Sequence, residues 1–369
     1  MSLLFTPGTM GNLRLPNRTV RSATAEFMAD VEGRPRPPLK ELYRELVRGG
    51  VGLIITGHMY VHPGGKANVE MTGIYSNELL PGLTELAQAV HDEGGCVVVQ
   101  INHGGMQCSR KVVQGTIAPS AVAVDFLGQP AREMTVGEIK LVIAAFAQAA
   151  RRAKAAGFDG VQIHAAHGYL IGQFLSPFVN KRTDEWGGDL QGRMRFLREI
   201  CRAVREQVGP DYPMLTKLGL VDMVDGGLTL SEGLQVVAAL ESMGLDAVEI
   251  SSGIGGKTSG SARPGIKTEV DEAYFRPWAK EARSMTRLPI MLVGGLRSRG
   301  VMEDVLASGD ADFISMCRPL ICEPDFPNRL RQGLQERSSC ISANRCWPEA
   351  EGVGVACKCP KVNKKEDAQ

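Results

Sequence analysis

The stretch HAAHGYLIGQFLSPFVNKRTDEWGG sets two imidazoles and a phenol close together, at His164, His167 and Tyr169. The whole chain holds 6 histidines, so two of them just past the apolar run FDGVQI ask for a reason. H-x-x-H lacks the helical H-E-x-x-H spacing of a zinc site and brings no adjacent third ligand. A core histidine satisfied by backbone groups explains either residue alone, and explains both beside a tyrosine less well. Two imidazoles that donate hydrogen bonds to a substrate carbonyl oxygen would stabilise the enolate developing there. Tyr169 could then deliver a proton.

Other residues fit a cofactor beside that pair. Lys217 sits in the apolar context TKLGL, where an ammonium group is costly to bury without a partner. It either snorkels to solvent or faces N1 and C2=O of a flavin, whose reduced form a fixed cation stabilises. Gly294 and Gly295, in LVGGLRSRG, would let a phosphate approach the main chain, and Arg318, in SMCRPLI, offers a forked cation. Glycines that merely turn the chain and an arginine paired to a neighbour explain either loop alone. Both loops together point to a phosphate.

Positioning these groups falls to a repeated pattern. Apolar, β-branched runs recur at 19–26, 51–57, 96–102, 160–166, 213–219, 247–253, 289–295 and 313–318. They are near-continuously apolar, as strands buried on both faces of a parallel sheet are. Amphipathic helical stretches separate them. Thr135 with Glu138, Ser231 and Ser298 mark helix starts, and Gly157, Gly244 and Gly309 lie past helix ends. Eight strand–helix units predict an α/β chain folded as a single (β/α)8 TIM barrel, rather than a doubly wound sheet. Function in such barrels collects at the C-terminal ends of the strands. Gln100, His164, His167, Lys217, Ser251, Gly294, Gly295 and Arg318 all fall there.

Composition narrows the class. With 42 basic and 41 acidic residues the net charge is +1, and no cationic block exists to bind nucleic acid. The N-terminus has no apolar signal core, and LVIAAFAQAA at 141–150 is too short to span a bilayer. Nine cysteines, an odd number and dispersed except for a cluster near the C-terminus, fit a reducing cytoplasm better than a disulfide-stapled secreted domain.

The His164–Gly188 stretch closely resembles the signature of the old yellow enzyme family, FMN-dependent NAD(P)H:flavin oxidoreductases. 2,4-Dienoyl-CoA reductase and trimethylamine dehydrogenase are among that family's larger relatives. LFTPGTMGNLRLPNRTVRSATAE is similar to the family's first strand, VVQINHGG to its third, and VGGLRS with MCRPLICEPDFP to its phosphate loops. The resemblance implies an FMN-binding barrel over residues 1–335, followed by a cysteine-containing tail at 336–369. Ser22, Ala23, Thr24 and Ala25 would line the flavin, with His58 near it. Gln100 would bond the pyrimidine edge, Lys217 would sit at N1 and C2=O, and Cys317 and Arg318 would hold the phosphate with Gly294 and Gly295. His164 and His167 would bind the carbonyl, and Tyr169 would be the proton donor.

The implied reaction is ene reduction, with hydride passing from NADH or NADPH through FMN to the alkene of an α,β-unsaturated carbonyl compound. One alternative is amine dehydrogenation or demethylation as in the trimethylamine dehydrogenase branch. That chemistry asks for an aromatic cage, for which Phe27, Tyr60 and Trp186 are the candidates. A second alternative is a phosphosugar isomerase or aldolase on the same scaffold. A homo-oligomer is in keeping with the family.

Two departures stand out. Ala25 replaces the Thr or Cys that tunes the flavin in relatives. In the tail, Cys340, Cys346 and Cys359 match three places of an iron–sulfur pattern, with Ala343 at the second. A [4Fe–4S] cluster takes four thiolates, so the expectation is a vestigial site of free thiols and no metal. Cys357 as a substitute ligand, or zinc on four cysteines, are the alternatives. The chain then ends in KVNKKEDAQ, where larger relatives continue into a flavin- and nicotinamide-binding module, and no G-x-G-x-x-G follows a strand. The expectation is that electrons come from a diffusing nicotinamide or a separate protein.

Overall fold

Apolar residues on both faces of a strand can be buried only if each face is covered. The eight predicted strands meet that need by closing on themselves. The computed structural model describes residues 2–124, 131–254 and 262–359; the terminal run KVNKKEDAQ lies outside the described residues. The strands are β1 (Thr19–Arg21), β2 (Leu53–Ile55), β3 (Val97–Asn102), β4 (Gly160–Ala165), β5 (Met214–Gly219), β6 (Ala247–Ser251), β7 (Ile290–Leu292) and β8 (Phe313–Met316). Each pairs in parallel with the next. β8 returns to β1 through Ile314 opposite Thr19, which completes the ring.

Eight helices alternate with them: α1 (Pro37–Arg48), α2 (Leu80–His91), α3 (Val136–Ala155), α4 (Leu190–Val208), α5 (Leu230–Leu240), α6 (Arg276–Met285), α7 (Arg299–Ala307) and α8 (Phe326–Arg331). Two apolar cores result. One lies between strands and helices. The other fills the barrel, where Val20, Leu53, Val98, Leu215, Met291 and Phe313 pack against Met10, Leu13 and Leu15. Those last three come from a short antiparallel hairpin, Gly8–Met10 with Leu13–Leu15, that plugs the barrel's N-terminal end.

The strands end sooner than the apolar runs suggest. Residues 22–25 leave β1 after a final bond from Ser22 N–H to the Met316 carbonyl, and then line the pocket described below. Two helix starts differ from those the sequence suggests. α5 begins at Leu230, and its cap is Thr229, whose hydroxyl and Glu232 form a reciprocal capping box, rather than Ser231. Ser298 does precede α7, but its hydroxyl donates to Glu272 at 2.7 Å instead of capping. Thr135 with Glu138 caps α3 as read.

The stretch after β4 is partly helical. Leu170–Leu175 forms a short, fully buried helix, and Phe174 stacks on Phe196 of α4 at 4.1 Å. Asn180 and Arg182 then serve the backbone. Asn180 Nδ2 donates to the carbonyls of Phe174 and Trp186, and Arg182 Nη1 donates to those of Pro119 and Met134. The second half of the signature is therefore scaffold that fixes the first half.

After α8 the chain turns back over the C-terminal rim. Arg299 N–H donates to the Glu336 carbonyl, Ser338 N–H to that of Arg297 and Val355 N–H to that of Glu26. Among the described residues no helix is long and apolar enough to cross a membrane.

Candidate active site

A cavity of about 330 Å³ opens at the C-terminal end of the barrel, within the range of small-molecule sites. Its wall includes Ser22, Ala23, Thr24, Ala25, His58, Gln100, His164, His167, Tyr169, Lys217, Gly295, Cys317 and Arg318. Of the residues expected there, Gly294 alone is not on the wall. It stands behind, at φ +137°, with Phe275 and Tyr274 packed so closely that a Cβ would press on them. The amine-site candidates do not converge: Phe27, Tyr60 and Trp186 are absent from the wall. Phe27 packs edge-on against Trp347, Tyr60 stacks on Tyr75, and Trp186 lies under Arg195.

The floor is a buried polar chain. Gln100 Nε2 donates to Gln162 Oε1 at 2.7 Å, and Gln162 Nε2 to Glu249 Oε2 at 3.0 Å. Glu249 pairs with Lys217 Nζ at 3.3 Å, and Lys217 also donates to Ser22 Oγ at 2.8 Å. Glu249 is fully buried, so the carboxylate and ammonium hold each other where neither is stable alone. Sequence reading missed Gln162 and Glu249. The signal was a polar residue inside an otherwise apolar strand. Below the β1 end, Arg21 pairs with Glu26 at 2.9 Å, and Tyr43 and Gly57 N–H both donate to that carboxylate. This second buried pair anchors the segment 22–25.

Above the floor, two imidazole rings flank Tyr169 and a third packs against one of them. The Tyr169 centroid lies 4.9 Å from that of His164 and 5.0 Å from that of His58, and His164 meets His167 at 5.1 Å. Burial, then the neighbouring imidazoles and Lys217, hold His164 well below the usual histidine range. Burial, then Lys217 and His58, do the same to His167. His58 is pulled down to about 4 by burial and Lys217. Burial, with Cys108 adding to it, pushes the Tyr169 phenol up. At neutral pH the rim therefore presents uncharged imidazoles and a protonated phenol, all able to donate hydrogen bonds.

These histidines also make folding pH-dependent. Their folded values lie below the unfolded value of 6.5, so as pH falls the unfolded chain takes up protons first. Stability is complete above pH 6.5. It is lost as pH falls towards about 4 for His58 and about 3 for the buried His103. Each proton costs about 1.4 kcal/mol per pH unit. Melting temperatures of the apoprotein should fall steadily from pH 6.5 to 4.5; a flat profile there would contradict the buried neutral imidazoles.

Backbone geometry sets the ring positions. His167 adopts φ +59°, uncommon for a residue with a Cβ. It is held there by Gln107 Nε2, which donates to its carbonyl at 2.7 Å, and by its own N–H, which donates to the Ser252 carbonyl at 3.1 Å. Gln107, on the cavity wall, carries no motif that marks it for this task.

At the opposite end, Thr24 Oγ1 donates to Cys317 Sγ at 3.1 Å. Arg318 Nη1 donates to the Arg263 carbonyl at 2.8 Å and to Asn344 Oδ1 at 2.6 Å. The tail reaches the cavity too, through Ser342, Asn344, Cys346, Trp347 and Val355. The residues fit a flavin phosphate ester. A buried cation, Lys217, a forked cation, Arg318, and the hydroxyl of Ser315, buried without a hydrogen-bond partner, line one cavity. For a four-thiolate cluster the tail offers Cys340, Cys346 and Cys359, with Cys357 within hydrogen-bond reach of Cys359. Ala343 supplies no sulfur, and no group of three or more His, Cys, Asp or Glu among the described residues is placed to hold a metal ion. Cys340, Cys346 and Cys359 do lie within electrostatic reach of one another, and burial with the neighbouring thiols pushes Cys346 up to about 12.

A closed parallel barrel whose C-terminal mouth gathers His58, His164, His167, Tyr169, Lys217 and Arg318 on one cavity defines a (β/α)8 enzyme scaffold. The chain belongs to the NADH:flavin oxidoreductase / NADH oxidase family, whose model matches residues 3–337. It is 39% identical over 345 residues to the NADH oxidase of Thermoanaerobacter brockii, covering 92% of this chain and 52% of that protein. The NADPH dehydrogenase of Bacillus subtilis (strain 168) is 34% identical over 347 residues, covering 93% and 99%. Among solved structures, a 2-naphthoyl-CoA reductase complex superposes with TM-score 0.89 at 30% identity, covering 99% of this chain and 58% of that one. The chain thus spans about half the length of the NADH oxidase and nearly all of the NADPH dehydrogenase.

Proposed function

We propose that residues 1–335 bind FMN across the barrel mouth and reduce the alkene of an α,β-unsaturated carbonyl compound, with the tail from 336 closing one side of the site. FMN held there would supply the hydride, at N5, that it receives from NADH or NADPH. Lys217 and Gln100 would hold the ring's polar edge from the floor, and Ser22, Ala23, Thr24, Ala25 and His58 would line it. Arg318, Cys317 and Gly295, with Gly294 behind them, would receive the phosphate.

His164 and His167 donate hydrogen bonds to the substrate carbonyl oxygen and draw charge onto it, which makes Cβ electrophilic. Tyr169 gives its proton to Cα. Burial of the cluster strengthens each of these bonds by excluding water.

The observation that carries this reading is the convergence of His164, His167 and Tyr169 on one cavity whose floor contains the buried Lys217–Glu249 pair. Similarity to an NADPH dehydrogenase and to a 2-naphthoyl-CoA reductase supports it. The nine unpaired thiols fit a reducing compartment, the cytoplasm.

The test is to identify the bound flavin by mass, reduce the protein anaerobically with NADH or NADPH, and follow its reoxidation against enones, enoates and amines. Fast reoxidation by an enone is expected. Reduction of the flavin by an amine with no nicotinamide present would replace this reading with amine dehydrogenation, and a colourless protein that takes up no FMN would end both.

A further inference from the structure

A neutral imidazole carries one N–H, and which nitrogen bears it decides whether the ring attracts or repels a carbonyl oxygen. His164 and His167 solve that problem differently. Nε2 of His167 lies 2.7 Å from Ser251 Oγ, at the C-terminal end of β6. Were the proton on Nε2, the ring would donate to Ser251 and turn a lone pair on Nδ1 towards the substrate. Were Ser251 the donor, Nδ1–H would be left for the substrate. The hydroxyl makes no other hydrogen bond among the described residues, so Nε2 is the acceptor available to its proton.

At His164 it is Nδ1 that is buried without a partner. A buried N–H left unpaired is rarer than an unpaired acceptor, so the His164 proton belongs on Nε2, the nitrogen that is not enclosed.

We propose that Ser251 is a positioning residue that fixes the tautomer of His167: its hydroxyl donates to Nε2, so that Nδ1–H of His167 and Nε2–H of His164 together point at the substrate oxygen. This rests on the carbonyl-binding role proposed for the two imidazoles. The site then needs no positive charge on either ring. Burial, and after it Lys217 and the neighbouring rings, hold both histidines neutral and so work with the serine rather than against it.

The test uses the flavin-loaded protein with 15N-labelled histidine. Wild type should show His167 as the Nδ1–H form and His164 as the Nε2–H form. Ser251→Ala should move His167 towards the Nε2–H form and slow reoxidation by an enone about tenfold, the loss of one hydrogen bond to the substrate. Ser251→Thr, which keeps the hydroxyl, should restore both the tautomer and the rate.

An unchanged His167 tautomer in Ser251→Ala, or an Nε2–H form in wild type, would overturn the assignment. So would a Ser251→Thr protein that retains its flavin and yet behaves as Ser251→Ala does. If wild type reduces no enone, the ene-reductase reading fails, and the nitrogen spectra still decide the role of Ser251 separately.

Discussion

Lys217→Met is expected to cost the protein both stability and its flavin. Lys217 is 2% exposed and Glu249 fully buried, and Glu249 Oε1 has no hydrogen-bond partner. Removing the ammonium leaves a carboxylate in the barrel with only Gln162 Nε2 to satisfy it. Breaking a buried pair from one side costs about 3–5 kcal/mol, because the remaining charge stays desolvated. The double substitution Lys217→Met with Glu249→Gln separates the two consequences. It removes both charges, so folding should recover most of the loss, while flavin retention should not recover, since the cation at the polar edge is still missing. Denaturant titration reads the first effect and flavin co-elution on gel filtration the second. A Lys217→Met protein as stable and as yellow as wild type would remove Lys217 from both roles.

That pair also shows what could be read along the chain and what could not. Lys217 was conspicuous because an ammonium group stood inside an apolar run. Its counter-charge, Glu249, lies on the next strand, opposite it in register. Nothing local to either residue announces a partner that barrel closure supplies. The barrel itself was legible because each strand is buried on both faces and therefore reads as an apolar run. Its polar interruptions at Gln162 and Glu249 were passed over, although they form the floor.

Helix starts were legible where two signals agreed. Thr229 and Ser231 both suit a cap, and Glu232 stands three residues after Thr229 alone, which is the spacing a capping box requires. The tail was legible least. Trp347 and Val355 reach the cavity because the chain turns back onto Glu26 and Arg297, a long-range return that no periodicity encodes. Phe27, Tyr60 and Trp186 were grouped by residue type, and packing then sent each to a different neighbour.

Tyr169→Phe should separate the two halves of the catalytic cycle. The ring is held by its contacts with His164 and His58 and by its place just before the Leu170–Leu175 helix, whose Gln173 N–H donates to the Tyr169 carbonyl. None of these needs the hydroxyl, so phenylalanine should keep the ring in position and the fold intact. What disappears is a proton that burial keeps on the phenol well above neutral pH. A positioned proton donor contributes about 10²–10⁴-fold. That loss is expected in reoxidation of the reduced protein by an enone, where Cα must be protonated. Reduction of the protein by NADH or NADPH transfers hydride alone and should proceed at nearly the wild-type rate. Anaerobic stopped-flow of each half-reaction measures the split. Equal slowing of both halves would mean that the hydroxyl serves binding common to the two substrates, and an unslowed reoxidation would place the proton donor elsewhere in the cavity.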